Sequence, residues 1–154
     1  MTSIAPVRKE VVVNASAAHA FRVFTDGVDR WWPRQHHIGK SPLKRAVIEA
    51  RKGGRWYSIC EDGSECDIGA VLVWDPPHHL VLSWQINGDW QFDPSFHTEV
   101  DVTFTADGPS RTVVILEHRN LEAYGAKAAT IREMIGADSG WGLIMKNFAE
   151  VANA

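Results

Sequence analysis

The polar residues with the best prospect of reaching an interior, where their chemistry could be used, are Glu49, Arg51, Glu117 and His118. A buried carboxylate beside a histidine can be tuned toward neutrality by burial and neighbours. Alternation along a strand lets only one of Glu117 and His118 point inward. The competing reading is a salt bridge around Glu49 that holds the fold. The larger chemical resource is aromatic: the chain carries 7 tryptophans among 154 residues. Trp56, Trp74, Trp84 and Trp141 fall in segments that read as core. They make either plain packing or a pocket wall whose indole N–H groups orient a planar ligand. Trp84 and Trp141 are the strongest pocket candidates. Trp31 and Trp32 are adjacent and must face different ways, which suggests Trp31 packed beneath the sheet rim and Trp32 at a mouth. Trp90, Phe92 and Phe96 lie in an irregular Asp- and Pro-containing stretch that closes a cavity, makes a dimer surface or anchors its own loop.

Other chemistries find no support. There is no GxSxG elbow, GxGxxG or Walker loop. His36-His37 and His78-His79 are adjacent pairs whose side chains diverge on an extended chain, and no HExxH or Cys/His cluster accompanies them. No metal and no cofactor are therefore expected. Cys60 and Cys66 flank the Asp62-Gly63 turn. A loop of three residues would set them opposite one another, but free thiols are the expectation for a reducing compartment. Lys and Arg number 16 against 19 Asp and Glu, a formal net charge of -3, which does not suggest a nucleic-acid binder. No apolar run approaches the roughly 20 residues of a membrane span. The N-terminus has only a short valine run and carries Glu10, unlike a signal peptide, so a cytoplasmic location is expected.

The elements that must position these groups follow from periodicity. VRKEVVVNA reads as a first strand. Asn14 or Ser16 caps a short helix, SAAHAFRVFTD, ended by Gly27, and VDRWWPRQHH adds a brief second helix to about Pro33. Six strands follow: AVIEARK, RWYSICE, CDIGAVLVWD, HLVLSWQIN, HTEVDVTFT and TVVILEHRN. Val100, Val102 and Phe104 share one face of the fifth of these, and Leu80, Leu82, Trp84 and Ile86 form a matching file before it. KAATIREMI is helical. After the interruptions at Gly136 and Gly140, WGLIMKNFAEVANA carries a stripe of Trp141, Ile144, Met145, Phe148 and Ala152 that needs an apolar partner. One domain over residues 1–154 is expected: an α+β fold whose curved antiparallel sheet, of about seven strands, meets a long C-terminal helix.

Several segments, in this order and spacing, resemble the activator of heat-shock protein 90 ATPase homologue (AHSA1-like) family, within the SRPBCC superfamily of START-like, helix-grip domains. They are AFRVFTD, Trp31-Trp32-Pro33, IEARKGGRWY, DGSE, GAVLVWDPPHHLVLSWQI, TEVDVTF, LEHRNLE and Gly140-Trp141. Ala50 departs from the proline common in the family. The resemblance implies a cavity between sheet and helix. Three functions follow as expectations. The favoured one is non-enzymatic binding of a small hydrophobic or amphipathic ligand by Trp32, Glu49, Trp56, Trp84, Val102, Phe104, His118, Trp141 and Met145. The alternatives are an interaction module contacting a chaperone or regulatory protein, and a cyclase-like enzyme using an interior Glu or His. The state is expected to be monomer or homodimer.

Overall fold

The computed structural model describes residues 4–36 and 39–153. Its strands are β1 (Val7–Val13), β2 (Leu43–Ile48), β3 (Arg55–Cys60), β4 (Glu65–Asp75), β5 (His79–Trp84), β6 (Thr98–Ala106) and β7 (Thr112–Arg119). They form one antiparallel sheet in the order β1-β7-β6-β5-β4-β3-β2. The helices are α1 (Ala17–Phe24), α2 (Val28–Trp31), α3 (Ala128–Gly136) and α4 (Trp141–Asn153), with a 3-10 segment at Leu121–Lys127.

Sequence chemistry explains the boundaries. Ser16 caps α1 by accepting the His19 N–H at 3.1 Å, which satisfies one of the free donors of the first turn. The next strand differs from expectation. It begins at Leu43 rather than Ala46 and stops at Ile48, before Glu49. The cause is local: the Glu49 carboxylate accepts the Arg55 N–H at 2.8 Å, and Gly53 takes φ 82°. The chain therefore turns where an extended run through Lys52 had been expected. The 3-10 segment, also unexpected, follows Asn120, whose φ of 64° ends β7.

The sheet curls because its pairing is interrupted on one side. Register shifts occur between β2 and β3, β3 and β4, and β4 and β5. The ladders β5–β6, β6–β7 and β1–β7 run in regular register. Each bulge adds local twist and bends its strand. Gly69 sits in this bent region, and a Cβ there would overlap the Ser83 carbonyl oxygen.

The regular side carries a filled core. Phe24 packs against Phe104 and Phe148 at centroid distances of 5.8 and 5.2 Å, and Phe148 against Trp31 at 5.5 Å. Aromatic pairs in such edge-on geometry add to the area term of burial. The expected stripe of Trp141, Ile144, Met145, Phe148 and Ala152 is the buried face of α4. The structure is thus a curled half-barrel around a bent C-terminal helical segment, the helix-grip arrangement.

Candidate functional site

On the other side, where the sheet curls, side chains do not close the space. A cleft of about 650 Å3 opens between the inner faces of β3, β4 and β5 and the junction of α3 with α4. Its aromatic walls are Trp32, Trp84, Trp90 and Trp141, with aliphatic surface from Ile68 and Ile135 among others. Ser58, Gln35, His36 and Ser139 supply polar atoms. Among the described lining residues there is no Asp, Glu, Lys or Arg.

Each wall is fixed by a hydrogen bond that strand or helix chemistry makes available. Trp32 donates its indole N–H to the His36 carbonyl at 2.7 Å. His36 in turn donates from Nε2 to the Ser139 carbonyl at 2.8 Å, tying the loop after α2 to the turn before α4. Trp84 donates to the Tyr124 hydroxyl at 3.1 Å, and Tyr124 donates to the Ile86 carbonyl at 2.8 Å. Burial pushes the Tyr124 phenol up to about 12, so it stays a neutral donor. Trp141 donates to Nδ1 of His118 at 3.1 Å.

His118 settles the choice along β7. It is fully buried, with Val114 and Leu116 on the same face, while Glu117 lies on the other. An indole N–H can only donate, so His118 Nδ1 is unprotonated and the proton sits on Nε2. That Nε2–H donates to Thr98 Oγ1 at 2.9 Å, and the Thr98 hydroxyl donates to the Trp84 carbonyl at 2.8 Å. Burial pushes the imidazole down from 6.5 to about 3. Both ring nitrogens are committed, and the ring braces Trp141 and Trp84 from behind.

The expected site residues therefore separate. Trp32, Trp84 and Trp141 come together on the cleft wall. Trp56 and His118 stand behind it, in ring contact with Trp84 at 5.7 and 5.1 Å. Val102, Phe104 and Met145 belong to the filled core and are not among the lining residues. Glu49 is not a lining residue either: its carboxylate bonds the Arg55 N–H and pairs with Arg51 at 3.1 Å on the turn after β2. Ile68, Ile86, Ile135 and Ile144 line the cleft without having been singled out as ligand contacts. Ile86 and Ile144 lay on the apolar files read from the sequence, but a file does not say which of its members borders empty space. Trp31 is buried and donates to the Val23 carbonyl at 2.7 Å, away from its neighbour's role. Trp90, 39% exposed, stands at the mouth at φ 58°.

Cys60 and Cys66 are both free, and Cys66 pairs with Ser58 rather than with Cys60. His79 bonds Asp101 at 3.0 Å on the outer face of the sheet, and His37 lies outside the described residues. Among the described residues, no group of three or more His, Cys, Asp or Glu could hold a metal ion. Among the same residues, no helix is long and apolar enough to cross a membrane.

A curled antiparallel sheet gripping a terminal helix over an aromatic cleft defines a protein of the START-like, helix-grip class. The chain belongs to the AHSA1 family: the family described as "Activator of Hsp90 ATPase homolog 1-like protein" matches residues 14–153. Among solved structures it is similar to the anthrahydroquino-γ-pyrone synthase Txn09, at 38% identity over 98% of this chain and 99% of that one, with a TM-score of 0.68. It is also similar to CalC from Micromonospora echinospora, a self-sacrificing resistance protein, at 36% identity over 96% and 94% of the two chains, TM-score 0.71. The Aha1 dimer from Colwellia psychrerythraea shares the fold at 14% identity over 97% of each chain, TM-score 0.64. No curated protein matches.

Proposed function

We propose that this protein binds a small, planar, apolar molecule in the cleft between the curled side of the sheet and the α3–α4 junction. The observation that carries the reading is a lining of four tryptophans with aliphatic surface and no described carboxylate, lysine or arginine. Such a lining favours flat, uncharged surface. Its volume lies within the ~300–1,000 Å3 of small-molecule sites. Of the four large apolar side chains exposed among the described residues, Trp90 and Met134 stand at the mouth of this cleft, while Val12 and Val73 lie on β1 and β4 outside it.

Native mass spectrometry of gently purified protein tests the proposal. The expected spectrum contains a small-molecule adduct, or the emptied protein enhances the emission of Nile red, a neutral planar dye. An adduct-free spectrum together with no dye enhancement overturns it.

A second reading, a cyclase-like enzyme, draws support from the 38% identity to a synthase. In this chain such an activity would rest on holding a substrate in a reactive shape in a dry cleft. His118 has no free lone pair with which to act as a base. Incubating the protein with a linear precursor of a fused-ring product, and finding no acceleration of ring closure, would count against this reading.

A further inference from the structure

The hydrogen bonds of the inner tryptophans leave one donor over. Trp31, Trp32, Trp84 and Trp141 each donate their indole N–H to a protein acceptor. The Trp56 N–H does not: it is buried and has no hydrogen-bond partner among the described residues. Trp56 itself is 1% exposed. A buried donor without an acceptor costs roughly 1–3 kcal/mol and is rare in folded proteins. Something that the protein does not itself supply is therefore expected to take this bond.

The position of Trp56 says what that is. Its ring lies edge-on to Trp32 at 5.8 Å and to Trp84 at 5.7 Å, and both of those rings line the cleft. Ser58, two residues along the same strand and on the same buried face, also lines it. The orphan donor thus belongs to a ring directly behind the cleft wall, and an occupant reaches it where Trp32 or Trp84 gives up its own hydrogen bond and turns aside. An indole N–H can only donate, so its partner is an acceptor. The described lining offers no cation to hold an anion there. The acceptor that fits is a neutral oxygen on a flat framework.

We infer that Trp56 is the anchoring donor of the cleft, and that its occupant is an uncharged planar carbonyl compound whose oxygen accepts the Trp56 N–H. This rests on the binding reading above and adds to it the chemical class of the ligand and the residue that selects it.

The test uses two rigid probes of nearly equal shape, 9-fluorenone, which carries a carbonyl, and fluorene, which does not. Dissociation constants for both are measured with the wild-type protein and with Trp56→Phe. The expected result is that the preference for fluorenone over fluorene falls about tenfold in the variant, the equivalent of one buried hydrogen bond. Comparing two probes within each protein cancels the ring volume lost in the substitution. An unchanged preference overturns the anchor while leaving the cleft reading intact, and shows that water or nothing meets the donor. Failure of the wild type to hold either probe overturns both. Should the variant not fold, the assigned indole proton resonance of Trp56 in the wild type decides. It moves downfield with fluorenone and not with fluorene if the inference holds, and responds equally to both if it does not.

Discussion

The Trp141 indole N–H donates to His118 Nδ1 across 3.1 Å, joining the first turn of α4 to the end of β7. That bond fixes the tautomer of the imidazole and makes the histidine an internal brace. It also links stability to pH. The folded protein holds His118 neutral down to about 3, whereas an exposed histidine takes a proton near 6.5. The unfolded chain therefore binds more protons between these values, and stability falls as pH falls through that window.

Urea unfolding between pH 7.5 and 5 checks this. Wild-type stability is expected to drop with acidification, approaching about 1.4 kcal/mol per pH unit once well below 6.5. His118→Gln is expected to cost about 1–3 kcal/mol at pH 7.5, because the Trp141 and Thr98 partners are poorly replaced. The variant lacks the imidazole's proton linkage, so the two stability curves converge toward pH 5. Parallel curves would remove His118 as the source of the slope.

Trp90 is bulky, exposed at the mouth and held at φ 58° by a loop in which Asn87 Oδ1 accepts the Asp89 and Gln91 N–H groups at 2.9 and 3.2 Å. The left-handed conformation costs a non-glycine residue roughly 1–2 kcal/mol, and glycine gives back part of that through a freer unfolded chain. Trp90→Gly is therefore expected to stay within about 1 kcal/mol of wild-type stability. Stopped-flow displacement of a bound apolar dye is expected to show faster release, since one wall of the mouth is gone. Unaltered release kinetics would mean that Trp90 does not cover the occupant.

Gly69→Ala places a methyl group against the Ser83 backbone, which cannot swing aside as a side chain tip can. Ser83 is further held because its hydroxyl accepts the Ala70 N–H and donates to Gln85, both at 2.8 Å. Thermal and urea unfolding should show a loss of roughly 1–3 kcal/mol or more. A neutral outcome would indicate that β4 and β5 can separate at the bend.

Both cysteines are expected to be countable as free thiols in urea by reaction with a colorimetric disulfide. Cys60 is buried, and burial followed by the neighbouring Cys60 pushes the Cys66 thiol up. Labelling of the native protein at pH 7.5 should accordingly be slower than for a free cysteine. Rapid native labelling of Cys66 would contradict that environment.

The elements were legible where periodicity is strong. Val100, Val102 and Phe104 face inward as their alternation requires, and the stripe from Trp141 to Ala152 is the buried face of α4. The turn at Glu49 was hidden, because it depends on a carboxylate accepting a backbone N–H six residues on. The site was legible only in part. Trp32, Trp84 and Trp141 line the cleft, but Val102, Phe104 and Met145 lie in filled core although their pattern of burial is the same. Alternation reports which side of a sheet a residue faces. Whether that side meets another side chain or open space depends on backbone curvature, and the register shifts that set it leave no mark in hydrophobic pattern.

Those shifts all fall among β2 to β5, of which β3, β4 and β5 border the cleft, while the strands under the aromatic core keep regular pairing. Rigidity and vacancy thus reside in different halves of one sheet. Side chains at positions such as 68, 86 and 144 can be exchanged to suit a new guest while the scaffold's cohesion stays anchored elsewhere. A single architecture arranged this way is free to diversify in what it holds without having to relearn how to fold.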